Sequence, residues 1–193
     1  MPPQSNPSAK LTDAARLRAA ARAATDRGFT AGFPNFHFSS AHGGVSGHVF
    51  LPASVVEWRD VRVADLQVAN PFNLRELFIS AYWYAVRDGY PAAFPNGHQA
   101  THPGTGQVCG INLIKPGQAV IHKVRLTDLG GPAYVSIPAM FRAVANYATA
   151  NGFGGGFPTF AMTRVGRVSE HHVVLFPAGS VTWADVPLSE ITA

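Results

Sequence analysis

Cysteine is almost missing from this chain. Cys109 stands alone, which excludes an intramolecular disulfide and any zinc site built on several thiolates. Lysine is nearly as scarce, with three residues against twelve arginines, a bias that fits a GC-rich bacterial coding sequence. Charged residues make up only 13% of the chain, so a carboxylate-driven enzyme has little to work with. The net charge of +4 is scattered, and Lys10, Arg16, Arg18, Arg22 and Arg27 come closest to a cluster. That cluster reads as a solvated helix face. Nucleic-acid binding asks for a denser basic stripe interleaved with aromatics and is not expected.

Long apolar runs are also absent. No stretch approaches the ~18 residues of a membrane span, and the start, Met1 to Pro7, lacks the basic and apolar regions of a secretory signal. The expectation is a protein without a membrane span, cytoplasmic or released without a conventional signal. Catalytic signatures are missing as well. There is no Gly-x-Ser-x-Gly elbow, no Walker motif and no pair of acids in one loop of the kind glycoside hydrolysis uses. Gly154-Gly155-Gly156 follows a predicted helix instead of opening one, so it makes a poor phosphate cradle.

What the chain does have is a repeat. Asp26 to Asn35 reads Asp-Arg-Gly-Phe-Thr-Ala-Gly-Phe-Pro-Asn, and its pattern returns at Arg87 to Asn96 and at Ala150 to Thr159. Self-similarity of this kind sets the architecture before other arguments begin. Thr12, Asn73 and Ser136 stand at one common distance before the repeat glycines Gly28, Gly89 and Gly152. The first three are good N-cap types, and the glycines sit where a helix needs a left-handed residue just past its end. Helices are therefore predicted over 13–27, 74–88 and 137–151. Helix 74–88 is apolar on most sides, which makes it central or the contact face of a homo-oligomer.

Each helix is followed by a Gly-Phe-Pro turn and then two extended segments: 45–51 and 55–61, 107–115 and 119–126, 168–176 and 180–186. Pro52, Pro116 and Pro177 separate the members of each pair, and Val, Ile, Leu and Phe dominate them. Phe33-Pro34, Phe94-Pro95 and Phe157-Pro158 read first as structural anchors that stop the helix from resuming. The unit is helix–loop–strand–strand, in copies spanning 12–72, 73–135 and 136–193 after a loose tail at 1–11. A lone hairpin is marginal in water. The expected fold is thus one α+β domain with pseudo-threefold symmetry, a six-stranded sheet or barrel covered by three helices. With 47% apolar residues the chain has the material for such a core.

Two patterns suggest ligand binding. Trp58 and Asp60 lie two apart on a predicted strand and so share a face, and Trp183 and Asp185 repeat the spacing. An indole face can meet the C–H side of a pyranose while a carboxylate accepts from its hydroxyls; the competing reading is that the tryptophans fill core. After the Phe-Pro element, Asn35 with His37 matches Asn96 with His98, whereas the third copy has Thr159 and Ala161. The leading expectation is a non-catalytic repeat protein with several weak sites for carbohydrate or another small polar ligand. The alternative is an enzyme with one site in the second copy, using Cys109 with His98, His102 or His122, since an imidazole within reach can generate a thiolate. Against it, Cys109 lies in a run that alternates like a strand, where a lone cysteine is usually a small buried hydrophobe. A structural or self-assembling protein is the third reading. No cofactor is assigned, and no metal, because the third copy lacks the histidine a threefold site would need.

Overall fold

The computed structural model describes residues 11–39, 44–104, 106–130 and 136–191. Apart from Leu11, the expected N-terminal tail lies outside the described residues. In chain order the elements are α1 (Asp13–Asp26), β1 (Ala31–Ser39), β2 (Val45–Leu51), β3 (Val56–Arg62), α2 (Val63–Leu66), α3 (Leu74–Arg87), β4 (Ala92–His102), β5 (Gly106–Ile114), β6 (Val120–Arg125), α4 (Ile137–Ala150), β7 (Phe153–Val165), β8 (Val168–Pro177), β9 (Thr182–Pro187) and α5 (Leu188–Ile191).

The three long helices begin and end where their caps predict. The side-chain oxygens of Thr12, Asn73 and Ser136 accept from the backbone N–H of Ala15 (3.1 Å), Glu76 (3.2 Å) and Ala139 (3.3 Å). Gly28, Gly89 and Gly152 stop them with φ of 81°, 87° and 80°, a region that costs glycine nothing. Phe29 and Tyr90 then close the last turns, donating to the carbonyls of Ala24 and Ala85 at 2.9 Å.

The sheets depart from the expected architecture. Among the described residues, nine strands form three separate three-stranded antiparallel sheets, ordered β1-β2-β9, β3-β5-β4 and β6-β8-β7, and these do not close into a barrel. Three of the strands, β1, β4 and β7, lie where the sequence predicts loops. β1, β4 and β7 contain the Phe-Pro element itself, and their Gly, Pro and Asn residues hide the period-two pattern. All three are outer strands, where proline's missing donor does no harm. The two strands after each helix also do not pair as a hairpin. β3 leaves β2 and pairs with β5, setting Trp58 opposite Asn112. β6 pairs with β8, and β9 returns to the first sheet, setting Trp183 opposite Val49. Every sheet thus borrows one outer strand from another stretch of the chain.

This exchange explains the Phe-Pro element. Phe33, Phe94 and Phe157 converge at the centre with ring centroids 5.5, 5.3 and 4.8 Å apart, each fully buried. Each long helix covers its own sheet and leans on a second: α1 on β1 and β4, α3 on β4 and β7, α4 on β7 and β1. Helix α3 buries Leu77, Phe78, Ala81, Tyr82 and Ala85 but leaves Trp83 and Val86 exposed, so it is less enclosed than its composition suggests. Among the described residues no helix is long and apolar enough to cross a membrane.

Candidate functional site

The three outer strands share a local device. Each carries a register shift just after its proline, and a polar side chain bridges it. Asn35 Oδ1 accepts from the His37 N–H (3.0 Å), Asn96 Oδ1 from the His98 N–H (2.8 Å), and Thr159 Oγ1 from the Ala161 N–H (3.1 Å). The residue between each pair has positive φ: Phe36 at 60°, Gly97 at 84° and Phe160 at 62°. A phenylalanine held there stores strain of about 1 kcal/mol or more. Its buried ring holds it in place, Phe36 against Phe141 and Phe160 against Phe78. Gly97 instead lets α1 approach closely, since a Cβ there would lie 2.8 Å from Arg18 Cγ. Arg18 Nη1 also reaches the Gly97 carbonyl at 3.4 Å.

The bulge aims His98 at Trp58, with ring centroids 6.1 Å apart and edge to face. The same pairing recurs between His37 and Trp183 at 6.2 Å. Both tryptophans are open to solvent, Trp58 at 52% and Trp183 at 44% exposure, so neither fills core. Asn96 is packed over Gly110, whose absent Cβ would lie 2.5 Å from Asn96 Oδ1 and 2.8 Å from Trp58 Nε1. Gly47 leaves the same gap for Asn35. Asp60 and Asp185 are exposed and stand opposite Gly110 and Gly47. Arg59, beside Trp58 in sequence, is held by Asp88 (2.6 Å), Tyr84 (3.1 Å) and Tyr90 (3.1 Å), which pins β3 beneath the indole.

Trp58, Asn96 and His98 form one wall of a cleft of about 690 Å³, within the range of small-ligand sites. The opposite wall is α1, through Arg18, Ala21, Arg22, Thr25 and Asp26. At its side lies Asn112, only 2% exposed, whose Nδ2 has no hydrogen-bond partner. A buried unpaired amide costs about 1–3 kcal/mol, and a bound acceptor would recover that. Sequence reasoning missed Asn112 and the α1 residues. The available signals were a lone amide in an apolar strand and two arginines one helical turn apart.

The other two junctions differ. Val49 and Val173 take the place of Asn112 opposite Trp183 and His122. Nine residues after its N-cap, where α1 has Ala21, α3 has Tyr82, whose hydroxyl bonds His172 Nδ1 at 3.0 Å and fills the space. Thr163 Oγ1 holds the other imidazole nitrogen. His122 is engaged elsewhere, with Tyr147 Oη at 3.1 Å and edge-on to Phe153.

Cys109 is fully buried on the middle strand of its sheet, among Val61, Leu77, Ala81 and Ile111. Burial pushes its thiol pKa up, the opposite of what a nucleophile requires. His102 sits exposed at the far end of β4, opposite Gly106. Among the described residues no three His, Cys, Asp or Glu side chains gather as metal ligands would.

Substituting Gly110 tests how tightly this wall is built. Gly110→Ala is expected to push Asn96 and Trp58 apart and cost about 1–3 kcal/mol, as overpacking does. The shift of the urea midpoint reads it, and a change below about 0.5 kcal/mol would mean the wall is loosely packed. Compared with protein-family models, with curated proteins and with solved structures, the chain matches none.

Proposed function

We propose that this protein is a non-catalytic binding protein for carbohydrate or a similar polar ligand. It would be assembled from three copies of one module about a pseudo-threefold axis through Phe33, Phe94 and Phe157. The observation that carries the reading is the pair of exposed tryptophans, each set against a histidine by the same asparagine-bridged bulge. An open indole face beside amide and imidazole groups suits a pyranose, with C–H groups on the ring and hydroxyls on the rim. Trp58 in its cleft is the principal site, with Asn96 and His98. Trp183, with Asn35, His37 and Asp185, is the second one, and Asp60 extends the first platform. Weak sites on one rigid body gain strength on a multivalent surface.

The test is binding to an immobilised glycan panel. Trp58→Ala should lose most binding and the Trp58→Ala, Trp183→Ala double variant all of it. Both should keep their stability within about 1 kcal/mol, because exposed side chains contribute little to the fold. A double variant that folds and binds like the parent would overturn the proposal.

A further inference from the structure

We propose that the ligand of the Trp58 cleft is an anionic sugar, a pyranose carrying one carboxylate, and that this specificity belongs to this junction alone. The inference rests on the carbohydrate reading above and adds the charge.

Three observations point to it. Arg18 and Arg22 lie four residues apart on α1, both exposed and both on the cleft wall. Like charges at that spacing repel, which a helix ordinarily avoids. Arg22 has no hydrogen bond or ion pair among the described residues, and Arg18 has only its long contact to the Gly97 carbonyl. Asp26 is the one acidic group on the same wall. Among the groups lining the cleft, two guanidiniums stand against one carboxylate, a local positive excess that favours an anion; Asp60, on the platform beside Trp58, lies outside that lining. Planar guanidinium groups match a carboxylate through paired N–H donors. The buried amide of Asn112 supplies the second, independent mark of a ligand: an unsatisfied Nδ2 donor at the same cleft, suited to a hydroxyl or ring oxygen.

The geometry divides the work. The indole of Trp58 meets the ring's C–H face, Asn112 and Asn96 meet hydroxyls, and the arginines across the cleft hold the carboxylate. Counting from the N-caps, the positions of Arg18 and Arg22 hold Ile79 and Trp83 in α3, and Arg142 and Asn146 in α4. The Trp183 junction has an unpaired buried amide of its own, Asn35 Nδ2, so what sets the Trp58 cleft apart is the pairing of such an amide with two cations, which only α1 has at these positions among the three long helices.

The experiment titrates glucuronate, glucose and acetate into the full chain and follows the indole Nε1–H resonance that disappears in Trp58→Ala. Glucuronate and glucose differ only in the group at C6. Glucuronate should bind about tenfold tighter or more, as a charge-assisted hydrogen bond adds. Arg22→Gln should bring the glucuronate-to-glucose affinity ratio close to one without lowering the melting temperature, and Arg18→Gln should lower the ratio too. Equal affinity for the two sugars would overturn the anionic inference and leave the carbohydrate reading standing. No response to either sugar would end both. Acetate binding as tightly as glucuronate would show that the ring contributes nothing, and would overturn the assignment of a sugar.

Discussion

Phe33→Ala is expected to destabilise the fold by about 3–5 kcal/mol, the range for emptying a buried aromatic position. Against a total of about 5–15 kcal/mol for a typical domain, that leaves little. Phe33 is fully buried and meets four other rings: Phe94 at 5.5 Å, Phe157 at 5.3 Å, Phe176 at 6.2 Å and Phe141 at 6.3 Å. These come from distant stretches of the chain, so the cavity opens at the point where the three sheets meet. The surroundings cannot collapse into it without moving all three. Phe94→Ala and Phe157→Ala should therefore carry similar penalties. Phe72→Ala, at a side chain 79% exposed, should change stability by under about 0.5 kcal/mol. Chemical denaturation followed by both tryptophan fluorescence and circular dichroism provides the measurement. Because the strands are exchanged between sheets, the transition should remain single, with both probes coincident. A loss below about 1 kcal/mol, or a melt in separable steps, would show that the sheets fold independently and that the central rings are not what joins them.

The same exchange marks the limit of what the amino-acid sequence makes legible. The helices were readable because their signals are local: Thr12, Asn73 and Ser136 at one end, left-handed glycines at the other. Six strands were readable from their Val, Ile and Phe content, within a residue or two at each end. β1, β4 and β7 were not, since proline and glycine in an outer strand look like a turn until the middle strand beside them is known. Which strands pair was out of reach, because β9 and β2 carry no mutual pattern and meet only through the whole fold.

The candidate site divides along the same line. Trp58, Asn96 and His98 stand out in the sequence by repetition, but they lie on different strands, β3 and β4, and only the pairing of both with β5 places them together. Arg18 and Arg22 looked like an ordinary solvated helix face. Asn112 looked like one polar residue in a strand. The three line one cleft only because α1 lies across the second sheet, where the bulge at Gly97 admits it.

Acid should weaken the fold well above the pH at which carboxylates titrate. His48 lies on the middle strand β2, 1% exposed, where Ile111 stands in the second sheet. Its Nδ1–H donates to the Ser46 carbonyl at 3.0 Å, and its ring stacks on Phe50. Burial lowers its pKa to about 4; the Ser46 carbonyl opposes the shift, Arg27 adds to it, and Asp185 partly offsets it. The unfolded chain takes up this proton near pH 6.5, while the native state refuses it until about pH 4. Stability is therefore fully present above about 6.5, falls as the pH drops toward 4, and levels off below, a loss of about 3 kcal/mol. Burial also lowers the pKa of His171 and His172, which extends the effect in the same direction. Asp13, whose carboxyl is raised by burial, acts in the opposite sense, its protonation favouring the fold as the pH falls. Urea unfolding at pH 7.5 and at pH 4.5 measures the difference. His48→Ile, which copies the second sheet's own choice, should remove most of the slope. A variant that folds and keeps the parent's full acid sensitivity would shift the cause to His171 and His172.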